Sequence, residues 1–217
     1  MSDIFPKWTN KLPLLLTAAF ALVISSMTAG VWYYFTPKYT RAGYQPMQPV
    51  AFSHATHVEQ LRVDCRYCHD GVEKSWYSNL PSSATCMNCH LQVLKDDPRL
   101  ALVRESAQSG RPIPWVQIHK MPDYVHFHHA AHVNRGVSCV LCHGQVNRME
   151  EVQQVQPLSM SFCLDCHRNP APNLRAPEQV YNLDWKSPIP SQQLVEGTRL
   201  MRDGSVKPRE NCSACHR

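Results

Sequence analysis

Apolar positions along this chain fall into one long block and several short, interrupted patches. Leu12 to Phe35 is a run of 24 residues without a charged side chain, above the ~20 that a helix needs to cross the hydrocarbon core. Trp32, Tyr33, Tyr34 and Phe35 close the run, where amphipathic aromatics favour the membrane interface. A cleaved leader has an apolar region of only ~7–15 residues, and Met27-Thr28-Ala29 makes a poor cleavage site. The segment is therefore expected to stay as a single-pass anchor helix. Thr17, Ala18, Ala19, Ala21, Ser25, Ser26, Ala29 and Gly30 are small enough to let other membrane helices approach it.

Beyond the anchor the pattern changes. Fifteen of the 17 prolines follow residue 36, which predicts short helices and irregular loops rather than a sheet. The fold class expected is mainly α and irregular. Asp97-Pro98 followed by Leu100, Val103 and Ala107 and then Gly110 predicts a short amphipathic helix, with an N-cap, proline at the first position and a glycine stop. Pro112 to Asp123 predicts an extended crossing segment, and Arg168 to Pro190 a surface connector that could also serve as a docking strap.

The cysteines carry the chemistry. All ten sit in five copies of Cys-x-x-Cys-His: Cys65-Cys68-His69, Cys86-Cys89-His90, Cys139-Cys142-His143, Cys163-Cys166-His167 and Cys212-Cys215-His216. This spacing is the signature of covalent c-type haem attachment. The two thiols form thioethers with the porphyrin and the adjacent histidine is the proximal iron ligand. Zinc knuckles do not require a histidine after each pair, a thioredoxin-type motif would occur once beside a βαβ pattern, and a disulfide framework would not repeat a two-residue gap five times. Five covalently bound haem c groups are therefore expected. Haem c is assembled outside the bacterial cytoplasm, which places the N-terminus inside and everything after Phe35 on the periplasmic side of the inner membrane. Flanking charge does not decide orientation, because Lys7 and Lys11 are matched by Lys38 and Arg41.

The frames are spaced short, long, short, long, and the two halves overlay at an offset near 75 residues. Phe52-Ser53-His54-Ala55-Thr56-His57-Val58 aligns with Phe127-His128-His129-Ala130-Ala131-His132-Val133. Duplication of a two-haem unit follows. The expected segments are a cytoplasmic N-terminus 1–11, an anchor 12–35, dihaem units 36–111 and 112–190, and a monohaem segment 191–217. Histidines at i and i+3 project from one helical turn, so each pair can serve two irons. His54, His57, His129 and His132 are the distal candidates from the repeat, with His119 a fifth. His126 and His128 fall on Ala51 and Ser53 and are expected to touch haem edges or propionates. Met160, Met149 and Met201 are alternatives for one iron, since methionine ligation is common at higher-potential haems. No catalytic residue is expected.

Charge changes the picture little. The formal +5 is offset by roughly one negative charge per oxidised haem with its propionates, so nucleic-acid binding gains no support. About 36 residues per haem is too few for a layered core, and the haems themselves are expected to be the main buried apolar mass.

The FxHxxH–CxxCH units resemble small class III multihaem cytochromes. The single helix, the five frames, the stretch Trp115 to Val125 and Cys166-His167-Arg168-Asn169-Pro170 resemble more specifically the pentahaem cytochrome c subunit of alternative complex III. Met121 departs from that pattern, where leucine is usual. The resemblance implies an electron-relaying subunit that is not an enzyme on its own. Its implied partners are an iron–sulfur subunit resembling molybdopterin oxidoreductases, polytopic quinol-binding subunits, and a monohaem cytochrome c or terminal oxidase. Two alternatives are a stand-alone membrane-anchored quinol dehydrogenase, and a six-haem subunit of menaquinol:cytochrome complexes. The roughly 30 residues between Phe35 and Cys65 argue against the first, and the missing sixth frame against the second. A haem-based catalyst such as a nitrite reductase would need an open iron position.

Overall fold

The computed structural model describes residues 6–35, 41–187, 189–204 and 206–216, and they form two compact units, residues 1–40 and residues 41–217. Lys38 and residues 1–5 of the expected cytoplasmic segment lie outside the described residues. The first unit is a 3₁₀ turn, Lys7–Lys11, running into helix α1, Leu12–Phe35. It is the one helix among the described residues that is long and apolar enough to cross a membrane, and none of its apolar stretch is buried.

The second unit is built from short helices. These are α2 (Cys65–Cys68), α3 (Ser83–His90), α4 (Ala101–Ser109), α5 (His129–Val133), α6 (Cys139–His143), α7 (Met160–Arg168), α8 (Pro190–Asp203) and α9 (Cys212–Cys215). A π-helical turn, Ala55–Gln60, precedes α2. Among the described residues β pairing is limited to two isolated bridges, Val125 with His216 and Val137 with Leu174. Each Cys-x-x-Cys-His frame thus sits on a helical turn that sets both sulfurs and the histidine together. The helix predicted after Asp97 is present: Asp97 accepts from Arg99 N, Pro98 opens the turn, and Gly110 ends α4 at φ +72°. The segment after Pro112 is extended and crosses residues 41–48, with Gln48 exchanging two hydrogen bonds with the Val116 backbone at 2.9 and 3.0 Å.

The duplication is visible atom by atom. Ser53 Oγ accepts from Thr56 N at 2.9 Å, and His128 Nδ1, at the matching position, accepts from Ala131 N at 3.3 Å. His128 is thus a helix cap and satisfies the orphan donor of a helix start, as a serine does in the first half. Phe52 stacks on His57 at 4.5 Å and meets His54 edge-on at 4.9 Å; Phe127 does the same with His132 and His129 at 4.7 and 4.8 Å.

The two halves also grip each other reciprocally. Ala55 N donates to Met149 O at 3.1 Å, and Ala130 N donates to Ser75 O at 3.1 Å. Met149 and Ser75 each stand ten residues after the first cysteine of their own frame, so these are one contact made twice in opposite directions. Arg148 reaches Glu59 at 3.3 Å, while Asn134, the counterpart of Glu59, donates to Glu73 O at 3.0 Å.

Little of the unit is an ordinary core. Val72 from the first half, Val133 from the second and Val180 from the connector form its cluster, with Tyr181 packed against it. The connector from Arg168 is not the surface strap that its prolines suggested. Leu174 and Val180 are each 1% exposed and Leu183 is 5% exposed. Prolines fixed the irregular backbone there, and the apolar residues between them turn it inward. Helix α8 lies on Ala171–Asn173, with Gly197 against the Ala171 carbonyl.

Candidate haem sites

A histidine that binds a metal through Nε2 needs its Nδ1–H anchored elsewhere, usually on a backbone carbonyl. Six histidines are anchored so. His57 donates to Ser53 O at 2.8 Å, His69 to Asn79 O at 2.7 Å and His90 to Val93 O at 3.0 Å. His129 donates to Trp76 O, His132 to His128 O and His167 to Arg209 O, each at 2.8 Å. In all six the ring turns Nε2 away from the chain that holds it.

The rings then approach each other in pairs. His57 and His90 have centroids 6.2 Å apart, His132 and His167 6.1 Å, and His129 and His143 6.5 Å. Two imidazoles bound to opposite sides of one metal, each at about 2 Å, have centroids roughly 6 Å apart. The separation of each pair therefore fits one iron between the two rings. His54 is the counterpart of His129. It is electrostatically coupled to His69, and its Nδ1 is buried without a hydrogen-bond partner among the described residues.

Burial keeps these groups neutral. It lowers the His54 pKa to about 4 and that of His143 to about 3, in both cases chiefly by desolvation. It pushes the Cys139 thiol up to about 11 and Cys142 to about 12. A neutral imidazole is the ligand form, and a thioether sulfur carries no charge for such a site to reject. The ten cysteines form no disulfide, which removes the cystine framework. Among the described residues no three His, Cys, Asp or Glu side chains converge as they would around zinc.

Neighbouring thiols also raise one another's proton affinity in places. Cys68 is raised by Cys86 and Cys89, Cys139 by Cys65, Cys142 by Cys163 and Cys166, and Cys163 by Cys215, each after the larger effect of burial.

Residues 35–109 match the class III cytochrome c family, and residues 125–217 match cytochrome c7 and related cytochromes c. The chain is 33% identical over 164 residues to the multihaem cytochrome c subunit of menaquinone reductase from Nitratidesulfovibrio vulgaris Hildenborough. The alignment covers 75% of this chain and 70% of that subunit. The chain belongs to the multihaem cytochromes c.

The cytochrome therefore carries covalently bound haem c on a class III-type fold, and the family predicts no other use for its paired thiols. The remaining candidates are placed differently from the four repeat histidines. His119 has its Nε2 3.3 Å from His143 Nδ1, with centroids 4.4 Å apart, closer than any pair that flanks a gap. Met160 opens α7 and is 61% exposed. At the fifth frame, His126 N donates to Cys215 O at 2.7 Å and the Tyr124 ring lies 5.8 Å from His216. Sequence reasoning missed four contributors. Asn79, Val93, Trp76 and Arg209 supply the carbonyls that fix His69, His90, His129 and His167. A backbone carbonyl leaves no signature in side-chain pattern.

Proposed function

We propose that this cytochrome is a five-haem electron-transfer subunit of a quinol oxidoreductase complex of the alternative complex III type. It is anchored in the bacterial inner membrane by α1 with its frames on the periplasmic side. Haem bound at each frame supplies a one-electron Fe(III)/Fe(II) couple. Cys65 and Cys68, Cys86 and Cys89, Cys139 and Cys142, Cys163 and Cys166, and Cys212 and Cys215 hold the five groups. His69, His90, His143, His167 and His216 are the proximal ligands. His57 faces His90 and His132 faces His167 as distal ligands, with His54 and His129 serving the first and third frames. The carbonyls on Nδ1 of His57, His69, His90, His129, His132 and His167 fix those six tautomers and increase the electron donation of the rings.

The observation that carries this reading is the pair of 6.1–6.2 Å ring separations, made by equivalent histidines of the two halves. The name of the Nitratidesulfovibrio relative supports attachment to a quinone-reactive complex. It also favours a second reading, in which electrons run the other way, toward menaquinone. In the first reading the acceptor is a monohaem cytochrome c or a terminal oxidase.

Intact-mass analysis of protein matured in its native host should show five haem additions, and four or fewer would overturn the count. Gentle detergent purification should bring along an iron–sulfur subunit and polytopic subunits. A cytochrome that elutes alone would overturn the assignment to a complex. Reduction of the haems by menaquinol in the purified complex supports the first direction, and reduction of menaquinone by the pre-reduced complex the second.

A further inference from the structure

We propose that the five haem sites are wired 2–1–3–4–5, with frames 1 and 3 as the central junction and frames 2 and 5 as the two ends. The proposal rests on the five-haem reading above and adds the path to it.

Within each half, one helical turn ties two frames together. His54 and His57 serve frames 1 and 2, and Asn88 of frame 2 donates to the Tyr67 hydroxyl of frame 1 at 2.9 Å. His129 and His132 face His143 and His167, joining frames 3 and 4. Between the halves, the contacts converge on frame 1. His129 is fixed by Trp76 O, and Ala130 N by Ser75 O, both on the loop that follows frame 1. Tyr181 donates to Glu73 at 2.8 Å, and Arg66 of frame 1 lies 4.6 Å above its ring. Beside Tyr181, the Val180 carbonyl accepts from Ser138, the residue before Cys139 of frame 3, at 2.6 Å. The contacts of frame 2, by contrast, run within its own half: to His57, to Tyr67, and from Ser83 to Ser106.

Frame 5 closes the series on frame 4. His167 of frame 4 is fixed by Arg209 O, three residues before Cys212, at 2.8 Å. One electron passed along this series oxidises one iron as it reduces the next, and needs no proton or co-reactant. The external partners must then connect at frames 2 and 5, while an electron arriving at frame 2 reaches frame 3 only by way of frame 1.

Two measurements test the wiring. A cryo-EM map of the wild-type complex that separates the irons should show iron 1 neighbouring both iron 2 and iron 3, and iron 2 neighbouring iron 1 alone. Five irons with iron 2 between irons 1 and 3 would overturn the wiring and leave the five-haem reading intact; fewer than five would overturn that reading instead. Independently, H57A should give haem 2 a high-spin EPR signal that labels it. Adding C65A/C68A should slow the relaxation of that signal several-fold, whereas adding C139A/C142A should leave it unchanged. Equal slowing by both additions would overturn the order. If a variant does not mature, the wild-type map decides alone.

Discussion

His119 Nε2 lies 3.3 Å from His143 Nδ1. With Nε2 of His143 offered to iron, as proposed above, its proton sits on Nδ1 and His119 is the acceptor. His119 therefore stands where a backbone carbonyl stands for six other histidines of the site, and acts through His143 as an outer partner. An acceptor on Nδ1 strengthens imidazole donation and stabilises ferric iron. H119A should leave the number of low-spin haems unchanged and raise one reduction potential, by on the order of tens of millivolts. A redox titration with optical and EPR detection checks it. A haem turned high-spin would instead make His119 a distal ligand.

His57 and His132 are equivalent by repeat and by geometry, down to the 2.8 Å bond from each Nδ1 to the carbonyl four residues back. H57A and H132A should each turn one haem high-spin without changing the covalent haem count, and the double variant should turn two. H129A is expected to do the same to a third. Magnetic circular dichroism of the oxidised protein, with intact mass as the control, reads the outcome. A low-spin spectrum identical to wild type removes the residue from the ligand set.

Asp97 accepts from the side chain and then the backbone of Arg99, and these bonds hold its carboxyl at about 2, below the ordinary 3.8. A carboxyl lowered on folding stabilises the fold above its unfolded pKa and loses that contribution as pH falls through the folded one. D97A should therefore melt below wild type at neutral pH. The difference in melting temperature should hold down to roughly pH 4 and close between there and about pH 2. A difference that stays constant to pH 2 would mean that the charge of Asp97 plays no part.

The parts of this fold legible in the sequence are those written in side chains at fixed spacing. The Asp97–Gly110 helix was announced by its cap, proline and glycine. The FxHxxH duplication gave histidine pairs, three of whose rings the structure sets 6.1–6.5 Å from a frame histidine. What was not legible depends on backbone groups and on long-range partners. Nothing in the pattern marks Trp76 as the residue whose carbonyl fixes His129, because any residue has that carbonyl. His128 looked foreign to the repeat because imidazole and hydroxyl share no composition class, yet both offer one acceptor atom to a helix N–H. Leu174, Val180 and Leu183 sit among prolines, and the prolines dominated the reading of that stretch. The reciprocal grip of Ala55 on Met149 and Ala130 on Ser75 joins residues nearly 100 and 55 apart, beyond the reach of local pattern.

Helix α8 gives a prediction whose sign separates packing from propensity. Gly197 lies in the middle of that helix, where glycine costs ~1 kcal/mol relative to alanine. On propensity alone G197A should stabilise the protein. In the structure a Cβ at this position would meet the backbone carbonyl of Ala171, which cannot swing aside as a side-chain end would. Both ends of the contact are tied down as well: Gln193 donates to Leu174 O at 2.6 Å and Arg135 to Gly204 O at 2.6 Å. Overpacking against fixed backbone typically costs about 1–3 kcal/mol, which outweighs the helical gain. G197A should lower the melting temperature and displace α8 from Ala171–Asn173, with the haem count unchanged. Thermal unfolding followed in the far ultraviolet measures the effect. A rise in melting temperature would show that α8 does not rest on that carbonyl.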